Sequence, residues 1–264
     1  MPLEDANMKR VLCFIYGSVT YVFFLGTFLY LIGFIENLWV PKSVDTGAEG
    51  GFLSSLLINV GLIALFGVQH GVMARLSFKE RWTRIIPEAI ERSTFVLLTC
   101  LILSLMYWQW QPMTSLIWNV QNQTGMFLLY GISAIGWVIV LLSTFLINHF
   151  DLFGLRQVIL YLLGKPYTPL KFKTIGLYKS VRHPLMLGFL IAFWVTPTMS
   201  VGHLLLATSF TIVIFISLRM EEGDLEKIHG EDYKEYKRTT SMILPLPKKT
   251  NLGSNLMTEA KTGI

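Results

Sequence analysis

Charge is what this sequence has least of. Of its 264 residues only 15% are Asp, Glu, Lys or Arg, whereas 53% are hydrophobic. A soluble domain usually carries about 25% charged residues. Cysteine is nearly absent too. Cys13 and Cys100 both lie inside apolar runs, which argues against a disulfide framework and offers no metal-ligand spacing. The chain has no His-Glu-x-x-His pair, no Gly-x-Ser-x-Gly elbow and no Walker loop, so zinc-peptidase, serine-hydrolase and P-loop chemistry of those kinds are excluded. No internal repeat is visible.

What remains is a set of long apolar stretches. Five stand out: Val11–Ile35, Phe52–Ala74, Thr94–Trp110, Gly125–Ile147 and Leu185–Leu218. About 20 apolar residues span a bilayer as a helix. The first run follows Lys9 and Arg10 as a signal peptide would, but its 25 residues exceed an h-region and no small-residue cleavage site follows; it is predicted to be a retained helix. The last run is too long for one crossing. Pro197 and Gly202 divide it, which predicts a hairpin of two short helices, spanning or re-entrant. The expected fold is all-α: a polytopic membrane helical bundle of five to six transmembrane segments with a C-terminal helical hairpin. One domain is expected over residues 1–247, followed by a mobile polar tail over 248–264.

The cations alternate with the runs. All but one of the 22 lysines and arginines lie in the N-terminus, the 75–93 connector, the 148–184 connector or the segment after residue 218. The exception is Lys42. Cytoplasmic loops are the ones enriched in Lys and Arg, so an integral membrane protein with both termini in the cytoplasm is predicted, as in a bacterial inner membrane. The net charge of +5 suits membrane lipids of an anionic leaflet. It does not suit nucleic acid, because the basic residues are scattered at helix ends without an aromatic platform. Trp39, Trp108, Trp110 and Trp118 fall near the opposite boundary and read as interface anchors.

The connectors hold some order. Phe150 to Leu160 mixes apolar residues with Arg156 and Gln157, which suits a helix along the membrane surface, and the 165–169 stretch breaks it. Glu221–Thr240 reads as a charged helical segment after the hairpin, ended by Pro245 and Pro247.

The candidate residues for chemistry cluster at one set of helix ends: Gln69 and His70; Asn148, His149 and Asp151; Arg182 and His183; Arg219, Glu221 and Glu222. Polar groups at membrane depth are functional candidates. Each has a plainer alternative. His149 and Asp151 could reach the headgroups. His70 sits in a Gly67-x-x-x-Gly71 spacing and could bond a neighbouring helix. Glu221 and Glu222 could start a solvated helix, and Arg182 could anchor a lipid phosphate.

Two segments are specific in combination. Gly176-Leu-Tyr-Lys-Ser-Val-Arg-His-Pro-Leu-Met-Leu-Gly188 precedes the hairpin. Glu221-Glu-Gly-Asp-Leu225 follows it and continues through Gly230-Glu-Asp-Tyr233-Lys-Glu-Tyr236 to Pro245. Over about 70 residues this pattern resembles the membrane methyltransferase superfamily of the isoprenylcysteine carboxyl methyltransferases. Gly67-Val-Gln-His70-Gly-Val-Met-Ala-Arg75 and Asn148-His-Phe-Asp-Leu-Phe-Gly-Leu-Arg-Gln157 resemble, within it, the bacterial methanethiol S-methyltransferases; denitrification-associated membrane proteins share parts of the first segment. The chain departs from many relatives at Met186, where they carry an aromatic residue.

The resemblance implies S-adenosylmethionine as cofactor, held by the part at about 170–245, with Tyr178, His183, Pro184, Leu185 and Met186 lining it and Glu221 or Glu222 holding its polar end. Arg182 is then available to the methionine carboxylate. It implies a small thiol, methanethiol, as acceptor and dimethyl sulfide as product. A thiol near neutral pH is mostly protonated. His70 and His149 are the candidate bases, with Asp151 orienting one or Arg156 lowering the thiol pKa. A lipid or prenylcysteine carboxylate acceptor, or a membrane factor without catalysis, are the competing readings.

Overall fold

The structure, a computed structural model, describes residues 3–246. The expected tail over 248–264 lies outside the described residues. Five helices are long and apolar enough to cross a membrane: α1 (Leu3–Glu36), α2 (Phe52–Met73), α4 (Glu88–Gln109), α5 (Gln123–Ile147) and α9 (Val201–His229), with the short α3 (Leu76–Trp82) between α2 and α4. The protein is a polytopic helical membrane bundle, as the apolar runs predict.

The helices place their polarity inside out. Thr20, Thr27, Ser55, Asn59, Ser133 and Ser143 are buried, whereas Leu12, Val19, Leu29, Leu57, Phe127 and Ile132 are exposed. In hydrocarbon there is no gain from hiding leucine, and the polar groups are the ones that must find partners. Asn59 shows how. Its amide donates to the Gln111 carbonyl at 2.8 Å and its oxygen accepts from the Gln111 amide at 2.9 Å.

The hairpin differs from two short helices. Its first arm is α8 (Pro184–Trp194), with Pro184 at the first helical position, where a missing N–H costs nothing. Eleven residues rise about 16 Å, roughly half a bilayer core of about 30 Å. Val195 to Ser200 continue the arm in largely extended form, ending in strand β2 (Thr198–Ser200), which pairs antiparallel with β1 (Leu116–Asn119). Non-helical backbone at depth must be enclosed in protein, and Thr196, Met199 and Ser200 are buried. The second arm, α9, starts on the Ser200 side chain, which accepts from the His203 amide at 2.9 Å. It does not stop at the membrane surface. It carries Glu221 and Glu222 on the same uninterrupted helix to His229, and Gly230 at φ +57° turns the chain into α10 (Glu231–Thr239).

The closest helix crossing is α5 with α8. A Cβ on Gly188 would stand 2.6 Å from the Gly136 carbonyl oxygen, and one on Gly136 2.8 Å from that of Gly188. The two backbones touch because neither has a side chain, the small-residue contact of membrane helices.

One interface expectation changes. Trp39 and Trp108 are exposed, but Trp110 is fully buried and its indole donates to the Val44 carbonyl at 3.0 Å; it is a core residue, not an anchor. The 148–184 connector forms α6 (His149–Leu152) and α7 (Leu155–Leu162). Helix α7 is fastened to the bundle at Val158, which is fully buried and fills the space left by Gly17 of α1.

Candidate active site

The Arg-His-Pro segment enters α8 across a short parallel bridge, in which the Arg182 amide donates to the Ser241 carbonyl at 2.9 Å and the His183 amide to that of Met242 at 3.1 Å. That bridge holds Arg182 and His183 against α9. The Arg182 guanidinium donates to Glu222 Oε1 through Nε at 2.7 Å and lies 2.6 Å from it through Nη2. Its Nη1 is taken by the backbone carbonyls of Lys237 and Thr240. His183 Nε2 stands 3.2 Å from Glu222 Oε1, and Lys237 Nζ 3.3 Å from Oε2 and 2.8 Å from Glu226. Both the Arg182 and Glu222 side chains are only 3% exposed.

This changes what these residues offer. Arg182 was expected to be available to a ligand carboxylate, and Glu221 or Glu222 to hold its polar end. Instead they neutralise each other: Glu222 is the one carboxylate paired with Arg182 among the described residues, and the buried guanidinium is the closest of the cationic groups around Glu222. Their role in the geometry is to fix where His183, Pro184 and the start of α8 stand. Glu221, one residue earlier and half-buried, makes no ion pair among the described residues. Leu185 and Met186 are half-buried on the first turn of α8, and Met186 packs on the Ile214, Leu218 and Ile243 cluster.

Two tyrosines of the Gly-x-x-Tyr-x-x-Tyr stretch act differently. Tyr236 donates to the Tyr178 carbonyl at 2.5 Å and stands 3.4 Å from that of Val181, so it closes the 3-10 turn Gly176–Lys179 onto α10. Burial pushes its phenol up to about 12. Tyr233 is 2% exposed and its hydroxyl has no hydrogen-bond partner. An orphaned buried hydroxyl costs about 1–3 kcal/mol, and is the mark of a group a ligand would satisfy. Phe172, from the connector before α8, meets the Tyr233 and Tyr236 rings edge-on at 5.8 and 5.5 Å. A flat or cationic group therefore has aromatic walls here, with Glu221 and Glu222 as the acidic neighbours. This donor set fits a sulfonium nucleoside: aromatic faces for a cation and a base, a free carboxylate and an unpaired phenol. The sequence motif contains Tyr233 but gives it no role at the cofactor.

The second group of candidates surrounds an aromatic cluster at the same helix ends. His149 is buried, stacks on Phe145 at 4.3 Å, and meets Phe153 at 4.9 Å. Both its ring nitrogens are engaged, Nε2 with the Tyr21 hydroxyl at 2.9 Å and Nδ1 with the Thr144 hydroxyl at 2.8 Å. Burial lowers its pKa. His70 lies between the rings of Phe66 at 5.2 Å and Phe95 at 5.0 Å, and its Nδ1 is buried without a partner. Phe95 and Phe153 belong to one packed cluster with Met73, so the two histidines border the same aromatic body.

Asp151 does not orient either histidine. It pairs with Arg156 at 2.7 Å and accepts from the Tyr167 hydroxyl at 3.3 Å. Arg156 also donates to the Thr168 carbonyl at 3.0 Å, so the pair ties α6 and α7 to the connector that follows. Arg92, which the sequence reading counted only as loop charge, bridges the cluster: its Nε donates to the Leu152 carbonyl at 2.8 Å and its guanidinium lies 5.2 Å over Phe95.

The two groups are joined by α2 and α9 side by side. A Cβ on Gly67 would meet Val213 at 3.1 Å, and Arg75 pairs with Asp224 at 3.1 Å. These contacts bracket His70 between the levels of Val213 and Asp224, the stretch of α9 that leads to Glu221 and Glu222. On the other flank the Tyr178 hydroxyl donates to the Ser143 carbonyl at 3.5 Å, next to the Thr144 that holds His149.

No family model and no solved structure matches the chain. Curated relatives do. It is 50% identical to a methanethiol S-methyltransferase of Crocosphaera subtropica over 92% of this chain and 95% of that protein, and 48% identical to one of Mycobacterium tuberculosis over 92% of this chain and 99% of the other. It is also similar to mouse nurim, 28% identical over 73% of the chain and 79% of that protein. Identity that high over 92% of the chain leaves one conclusion: the chain is an enzyme of the methyltransferase class and belongs to the methanethiol S-methyltransferase family.

Proposed function

We propose that this protein methylates methanethiol to dimethyl sulfide with S-adenosylmethionine, at the cytoplasmic face of a bacterial inner membrane. The observation that carries this reading is the family membership, which runs over 92% of the chain. The charge pattern supports the sidedness, since the candidate site lies at the cation-rich helix ends where a cytosolic cofactor arrives.

The part at about 170–245 is the cofactor site of the single domain 1–247. Phe172, Tyr233 and Tyr236 give aromatic walls, Tyr233 its open hydroxyl, Tyr178, Pro184, Leu185 and Met186 the lining, and Glu221 a carboxylate for polar hydroxyls or an amino group. Arg182, His183 and Glu222 keep that wall in register. When bound there, the cofactor would supply an electrophilic sulfonium methyl group to the thiolate sulfur and leave as the neutral thioether. The protein must position the thiol and take its proton. His70 is the better base, because its Nδ1 has an open position, whereas His149 has both nitrogens engaged by hydroxyls. Arg92 adds positive charge beside it, which favours a thiolate. His149, Asp151 and Arg156 then hold the acceptor wall. A dry site assists, because the charges cancel in the transition state.

The test supplies purified membranes with S-adenosylmethionine and methanethiol and reads dimethyl sulfide in the headspace. Product well above an empty-vector control is expected. Cofactor binding without product would move the reading to a lipid or prenylcysteine acceptor, and no cofactor binding would remove it. Full turnover in His70→Gln would remove the base assignment.

A further inference from the structure

A groove in the bundle lies away from this site. It has a volume of about 600 Å³ and runs between α1 and α4 in the half of the membrane opposite the chain termini. Val22, Gly26 and Tyr30 form one wall, Tyr107 and Trp108 the other, and Lys42 closes the end. Its open side lies between two membrane-spanning helices, with Val22 66% and Trp108 71% exposed. Its floor exists because Gly26 has no side chain, and a Cβ there would meet nothing within 4 Å.

Lys42 is the one Lys or Arg in the connectors on that side. Its position is set by two bonds: its carbonyl accepts from the Tyr30 hydroxyl at 3.0 Å and its ammonium donates to the Trp108 carbonyl at 2.5 Å. It makes no ion pair with a carboxylate among the described residues. An ammonium has three donors, so two remain for an acceptor at the groove mouth. A lipid-facing void that stays empty loses the dispersion contacts of its whole lining, and a basic residue at headgroup level attracts phosphate.

The geometry points to a bound anionic glycerophospholipid of the leaflet opposite the termini, with an acyl chain lying over Gly26 and its phosphate on Lys42. Exposed Trp108 marks the interface depth at which that headgroup sits. The net negative headgroup is selected over a zwitterionic one because the ammonium has no carboxylate of its own to neutralise it. This assignment is independent of the reaction and of the acceptor.

Native mass spectrometry tests it. The full chain is reconstituted in bilayer discs of equal phosphatidylglycerol and phosphatidylethanolamine, released into mild detergent, and its retained lipid counted. The parent is expected to keep one phosphatidylglycerol several-fold more often than phosphatidylethanolamine. Lys42→Gln should abolish that preference. Gly26→Phe, whose ring projects into open space and so leaves the bundle intact, should lose retained lipid of both kinds. Equal retention of the two lipids by the parent overturns the assignment. So does a Lys42→Gln variant with the parent's preference, or a Gly26→Phe variant that keeps its lipid while circular dichroism shows the native helix content.

Discussion

The pairing of Arg182 with Glu222 makes a quantitative prediction. Both side chains are 3% exposed and the contacts are 2.6 and 2.7 Å. Removing one partner of a desolvated ion pair costs about 3–5 kcal/mol, most of it the charge left behind. Arg182→Met leaves Glu222 with His183 and with Lys237, and the latter is 42% exposed at 3.3 Å, so it compensates little. The upper half of that range is expected. Glu222→Gln leaves Arg182 with two backbone carbonyls, so the lower end is expected. Lys237→Ala touches a half-exposed partner and should cost at most about 1 kcal/mol.

The double variant Arg182→Met, Glu222→Leu separates charge from contact. With both charges gone nothing is stranded, and such replacements are often neutral or stabilising, so most of the loss should return. Heating the protein in detergent and following helix content gives the readout. At this chain length about 2–4 °C of midpoint accompanies each kcal/mol, so the single variants should fall by roughly 6–20 °C. Single variants within about 2 °C of the parent, or a double variant showing the sum of both losses, would refute the reasoning.

Three further outcomes follow from the same contacts. Gly188→Ala places a methyl 2.6 Å from the Gly136 carbonyl oxygen and 2.8 Å from the Val140 amide nitrogen and Cγ2; with the α5 backbone in the way, a loss of about 1–3 kcal/mol in thermal unfolding is expected, whereas Gly26→Ala, facing open space, should be silent. His149 has its pKa lowered by burial, so the folded state holds it neutral: that contribution is complete above the unfolded histidine value of about 6.5 and is lost as pH falls through the lower folded value. The parent should therefore weaken in acid more steeply than His149→Phe, and parallel pH profiles of the melting midpoint would contradict this. Tyr233→Phe removes a hydroxyl with no partner, so stability should hold or rise by about 1 kcal/mol while calorimetric binding of S-adenosylmethionine weakens several-fold; loss of stability instead would mean that the hydroxyl is satisfied within the fold.

How much of this the sequence discloses depends on how local the cause is. The crossings are legible because a bilayer imposes a one-dimensional rule, a run of apolar residues of fixed length. The β1–β2 ribbon is not, since it joins Leu116 to Ser200 with no alternation in either segment to announce a strand. The extended half of the hairpin is missed for the same reason: Pro197 marks a break, but only enclosure by the rest of the bundle permits so much unwound backbone. The Gly136–Gly188 contact is silent because each is one glycine in an apolar run, and its meaning lies in the other.

The candidate-site residues divide along the same line. Sequence motifs singled out Arg182, His183 and Glu222 and aimed them at a ligand; a motif does not say that residues 40 apart meet each other, as Arg182 and Glu222 do. The reverse holds at Tyr233 and Tyr236. Three apart, they sit on neighbouring faces of α10 and look equivalent in the sequence. The 3-10 turn brings the carbonyls of Tyr178 and Val181 within reach of Tyr236 alone, and leaves Tyr233 buried with an open hydroxyl. The fold thus converts a repeated residue into one staple and one unpaired donor beside acidic and aromatic side chains, and that unequal pair argues more strongly for a ligand there than the buried Arg182–Glu222 charges, which already satisfy each other.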